Sequence, residues 1–144
     1  MTVAGRQLDP GRVRPRIPAR RTLHDRIPVA WAAGAVIGWT VLVALAIAVE
    51  PPASDPQALP SAVETLVGTL VLVGMLGAAT AFGARRRAGF LLSLAAGLVL
   101  FGASLACPAT GHHELAGWWY VQLGATAGLV GGSVYGLRRA PAGD

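Results

Sequence analysis

The chain alternates between four long apolar stretches and short polar connections, and every one of its twelve arginines falls in a connection or a tail. The stretches span about 28–49, 61–84, 88–106 and 115–137. Each is close to the roughly 20 residues that a helix needs to cross a hydrocarbon core. Local signals set their ends. Pro28 suits the first turn of the first helix, where a missing N–H is no loss. Ser61 and Glu64 form a capping box at the start of the second. Cys107-Pro108 is expected to stop the third, and the fourth begins between Glu114 and Gly117.

The polar positions orient these helices. Seven arginines lie in the amino-terminal tail, three at Arg85, Arg86 and Arg87, and two at Arg138 and Arg139. The first and third connections contain none, and the first, a proline-rich run from Pro51 to Pro60, carries only acidic charge. Basic flanks are retained on the cytoplasmic side. The expected fold is therefore an all-α membrane protein, four transmembrane helices in an up-down bundle with both termini inside. Residues 1–27 are expected as a disordered cytoplasmic tail, 28–137 as the transmembrane domain and 138–144 as a short second tail.

Composition supports this assignment. Hydrophobic residues make up 53% of the 144 residues and charged ones 13%, about half the share in soluble domains. So short a chain with four spans leaves no room for a separate soluble domain. The sequence pI near 11.0 does not point to nucleic acid, because the basic residues sit beside the apolar stretches and no recognition module accompanies them. Anionic lipid is the expected counter-charge for the arginine-rich tail. Lysine is absent while Arg, Ala and Gly abound, the bias of a high-GC bacterial genome, which places the chain in a cytoplasmic membrane. An alternative keeps only three spans. Arg20-Arg21, the following apolar run and Ala46-Ile47-Ala48 have the order of a cleaved secretory signal, although the run exceeds the usual 7 to 15 residues and contains Trp39.

Small residues supply the packing signal. Gly124, Gly128, Gly132 and Gly136 recur every fourth residue, a slowly winding stripe of bare backbone that another helix can approach. Gly34 and Gly38 offer a counterpart in the first span, and Gly74, Ala78, Ser93 and Gly97 in the second and third. Such stripes serve bundling within the chain, a membrane-protein partner or a homo-oligomer. Trp118, Trp119 and Tyr120 on one side and Trp31 and Tyr135 on the other suit the two membrane interfaces. Trp39 lies at mid-span, where its indole N–H needs a partner, with Thr40, Thr69, Ser93 and Thr126 as candidates.

No Asp, Glu, Arg or His stands at mid-membrane depth, which disfavours ion-coupled transport. Small four-span multidrug transporters resemble the chain in length and span number but depend on an acidic residue inside the first helix. Here the first acidic residue is Glu50, at the outer end. Four-span quinone-reducing thiol enzymes need a Cys-x-x-Cys pair, and Cys107 is the single cysteine.

One external cluster has chemical character: Cys107, His112, His113 and Glu114 offer thiolate, imidazole and carboxylate ligands suited to copper or zinc. The competing reading is a polar connection in which Thr110 caps the fourth helix and Glu114 faces its positive end. The segment Cys107-Pro108-x-x-Gly111-His112-His113, with Trp118-Trp119 and the glycine-striped last helix, resembles short four-span membrane proteins of actinobacteria. The resemblance covers the last third of the chain and implies a source without a mechanism. Three functions fit these observations: an accessory or interaction subunit without its own catalysis, an external metal- or haem-related site, and a transport component for an uncharged or lipid-like solute.

Overall fold

A computed structural model of the protein describes residues 22–51, 61–110 and 116–143. Four helices follow one another: α1 (Val29–Ala48), α2 (Ala62–Gly83), α3 (Ala88–Thr110) and α4 (Gly117–Arg139). α1, α2 and the Ala88–Pro108 part of α3 are each long and apolar enough to cross a membrane. Their outer faces carry Val36, Ile37, Val41, Leu66, Leu70 and Leu98, all exposed. A water-soluble bundle would place polar residues there. α4 has 23 residues and replaces much of this aliphatic surface with glycine. In the bundle α2 packs on α3, α3 on α4 and α4 on α1, while α1 and α2 share only a small contact.

The helix ends show how local chemistry sets their lengths. Ser61 Oγ accepts from the Glu64 amide at 3.2 Å, and the Glu64 carboxylate accepts from the Ser61 amide at 2.6 Å, so the expected capping box is formed. α3 does not stop at Pro108 as expected but continues to Thr110. Proline has no amide hydrogen, and within a helix it strips the residue four earlier of its donor. That residue is Ser104, whose carbonyl accepts instead from the Trp119 indole N–H at 2.8 Å. A donor from α4 thus makes the proline tolerable inside α3. Thr110, expected to cap α4, is the last residue of α3, and Ala116 precedes α4 without a side-chain cap.

At the opposite end the chain is tied into a clasp. α2 closes in a Schellman motif: the Arg85 amide bonds to the Phe82 carbonyl and the Arg86 amide to that of Ala81, with Arg85 in the left-handed region at φ 56°. Residues 23–27 lie antiparallel to this turn, Arg26 opposite Arg86. The Ile27 amide reaches the Arg85 carbonyl at 2.8 Å, and the Arg87 amide reaches that of Asp25 at 3.0 Å. Guanidinium groups add to the backbone pairing, Arg85 donating to the Ile27 carbonyl at 3.0 Å and Arg86 to that of His24. The segment after α4 joins them through the Gly143 amide, 2.7 Å from the Arg26 carbonyl. The start of α1, the α2–α3 turn and the end of α4 therefore share one end of the bundle. Of residues 1–27, expected as a disordered tail, residues 22–27 belong to this clasp and residues 1–21 lie outside the described residues.

Beneath the clasp Ile27, Ala32, Ala78, Phe82, Phe90 and Ala140 form a buried cluster to which all four helices or their flanks contribute. Phe82 and Phe90 meet edge to face at 4.9 Å, and Trp31 stands edge-on to Phe90 and stacks on Tyr135 at 5.8 Å. These rings set the spacing of α1 from α3 and α4.

Candidate functional site

That spacing leaves a cavity of about 350 Å³ between α1, α3 and α4, open to the surface where the exposed Gly34, Gly128 and Gly132 line it. Gly34 and Gly38 of α1 line it, as do Gly128 and Gly132 of α4. A Cβ built on Gly34, Gly38 or Gly132 would meet nothing within 4 Å, and the same holds for Gly124. At Gly128 it would touch the Leu42 side chain at 3.4 Å. The two stripes expected to bring helices into contact thus border a cavity over most of their shared length. Trp31 with its aromatic partners holds α1 away at one end, and Leu42 on Gly128 bridges the gap further along.

Tight glycine packing occurs elsewhere. A Cβ on Gly136 would collide with the Phe90 ring, one on Gly74 would lie 2.8 Å from the Ala96 methyl, and one on Gly89 would lie 2.6 Å from the Phe82 ring. Gly97 sits 3.4 Å from Val130 by the same construction. The tightest helix contacts through small residues therefore belong to the α2–α3 and α3–α4 pairs. Gly136 is the α4 stripe's contribution to it.

Phe90, Ser93, Leu129 and Ser133 line the cavity from α3 and α4. The Ser93 and Ser133 hydroxyls lie 2.6 Å apart, both buried. Ser133 also approaches the Leu129 carbonyl at 2.7 Å and Ser93 that of Phe90 at 3.1 Å. With one hydrogen each, the two hydroxyls have both donors taken up by these contacts. Trp39, on the α1 side, differs. Its indole nitrogen is buried and has no hydrogen-bond partner among the described residues. None of the hydroxyls that sequence reading offered accepts from it; Thr40 donates to the Val36 carbonyl, Thr69 to that of Thr65, Thr126 to those of Gln122 and Leu123, and Ser93 as described. An orphaned buried donor costs about 1–3 kcal/mol.

The ligand cluster proposed from sequence is only partly in view. Cys107 lies half-buried in the last turns of α3, one residue before Pro108. His112, His113 and Glu114 lie outside the described residues. Among the described residues no group of three His, Cys, Asp or Glu side chains converges on a common point. The cavity has no such groups in its lining. Its walls carry aromatic side chains and bare backbone, and the unpartnered Trp39 nitrogen is covered within one of them.

Compared with known proteins, the chain matches no family model, no curated protein and no solved structure.

Proposed function

We propose that this is a four-span protein of the bacterial cytoplasmic membrane that takes up an uncharged, lipid-like molecule inside the bundle, as a binding or transport component without catalysis of its own. The cavity between α1, α3 and α4 carries this reading. Its volume is at the lower end of the range for small-molecule sites, about 300–1,000 Å³. Its walls carry no ionisable side chain, which suits a solute dissolved in hydrocarbon and not an ion. α4 serves as the fourth span: Trp119 docks near its start on the far end of α3, and the segment after it ends in the clasp. The clasp arginines mark the cytoplasmic side, with anionic lipid as their counter-charge. Purification from native membranes in mild detergent, followed by mass spectrometry of extracted small molecules, tests the reading. An apolar compound should accompany the wild-type protein in near-stoichiometric amount and be lost from Gly132→Leu. Equal recovery from both proteins overturns it.

A second reading, an accessory subunit of a membrane complex, has its own support. α1 and α2 share only a small contact, so an edge of the bundle is open to another helix. Photo-crosslinking from Val41 or Leu70 in native membranes should then capture a protein partner or a second copy. Crosslinks to lipid alone would remove this reading.

A further inference from the structure

We propose that the cavity is a site for an uncharged planar ring bearing a carbonyl oxygen, of the isoprenoid-quinone type, held by a hydrogen bond from Trp39. The inference rests on the cavity reading above and adds the ligand's chemistry.

Three observations lead to it. Trp39 lines the cavity while its indole N–H has no acceptor among the described residues. Since the Ser93 and Ser133 hydroxyls are used by each other and by their own helices, Trp39 is the side-chain donor that a ligand can satisfy. The nitrogen itself is covered in this structure, so the proposed binding includes a turn of the ring that brings the N–H to an acceptor in the cavity. The ligand must therefore carry an oxygen acceptor.

Depth then selects among acceptors. Trp39 stands ten residues beyond Val29 in α1, about 15 Å along the helix at 1.5 Å per residue. This is the middle of a hydrocarbon core about 30 Å thick. The ester carbonyls of a phospholipid are held near the headgroups by the charged part of the molecule. A carbonyl at mid-depth has to belong to a molecule with no charged head, one that can move wholly inside the hydrocarbon. Shape selects further. Gly34 and Gly38 face the cavity from one helix and Gly132 from another, all with open space where a side chain would be. Bare backbone on opposing walls makes a slot, and the Trp31 ring adds a stacking face. A flat ring fits such a slot better than a branched aliphatic chain.

The test is equilibrium binding of a short-chain benzoquinone or naphthoquinone to the purified full chain in nanodiscs, followed by quenching of tryptophan emission. Trp31 remains in the wall as a reporter in every variant. Wild type should bind saturably, Trp39→Phe should bind about five-fold more weakly because one neutral hydrogen bond is lost, and Gly132→Leu should not bind. A carbonyl-free analogue of the same ring and tail should bind wild type and Trp39→Phe equally, and more weakly than the quinone binds wild type. If quinone and analogue bind alike and Trp39→Phe changes neither, the carbonyl inference fails while the cavity reading stands. If neither compound binds saturably, or Gly132→Leu binds as well as wild type while keeping its melting temperature, both fail. Should Gly132→Leu not fold, Gly34→Val blocks the slot from α1 and the same outcomes apply.

Discussion

Trp119 and Pro108 show how one residue's defect becomes another's docking point. Pro108 cannot donate to the Ser104 carbonyl, and the Trp119 indole does so at 2.8 Å. Trp119→Phe should therefore destabilise the detergent-solubilised protein by about 1–3 kcal/mol, the cost of an unsatisfied buried carbonyl. Pro108→Ala restores an amide donor to Ser104 within the helix. In that background Trp119→Phe should cost about 1 kcal/mol less, and the coupling in a double-mutant cycle measures the relationship directly. Additive effects would show that the indole bond does not compensate for the proline. Arg85 is a second case. Its left-handed backbone suits glycine, yet its side chain donates to the Ile27 carbonyl. Arg85→Gly should change stability by less than about 1 kcal/mol, since relief of the backbone offsets the lost bond. A larger loss in thermal unfolding would mean that the guanidinium dominates.

At the scale of elements, the same residue type has opposite consequences in one helix. Gly136 and Gly132 stand one turn apart in α4, the first under the Phe90 ring and the second facing open space. Gly136→Ala should destabilise the bundle by about 1–3 kcal/mol through overpacking against a ring already fixed by Phe82 and Trp31. Gly132→Ala should be neutral or stabilising by up to about 1 kcal/mol, as alanine is the better helix former. Thermal unfolding of the two variants in one detergent decides between this contrast and a uniform stripe. Between α3 and α4 the Ser93–Ser133 pair adds a hydrogen bond worth on the order of 0.6 kcal/mol in a membrane setting. That is a small term beside the close contacts at Gly97 and Gly136.

For the whole molecule, the clasp unites three segments far apart in sequence on one end of the bundle. In the orientation proposed above from the arginine partition, that end is the cytoplasmic one. Single cysteines introduced at Thr22, Arg86 and Ala142 in a Cys107→Ser background should all be protected from a membrane-impermeant thiol reagent in intact cells. Cysteines at Asp55 and His112 should react. Labelling that divides Thr22 from Arg86 would contradict the clasp itself, whereas labelling of all three would only invert the orientation.

The number of helices, their order and most of their ends were legible in the linear sequence, because these are local matters. Apolar length decides what can cross a membrane, the Ser61–Glu64 pair satisfies amides within its own turn, and α2 ends just before the arginine triplet. Gly74, Ala78, Ser93 and Gly97 were likewise readable as packing positions, since small residues on an apolar helix have little other use there. The tertiary structure alone decided everything that depends on a distant partner. Pro108 reads as a helix stop until Trp119, on another helix, supplies the missing donor. The arginines read as a topological signal until the backbone from Leu23 to Ile27 is laid beside them. Gly34, Gly38 and Gly132 read as contact points, yet whether bare backbone is filled by a neighbour or left as space depends on what holds the helices apart. Here the Trp31, Phe90 and Tyr135 rings do so, and no spacing along the chain specifies where three such rings will meet.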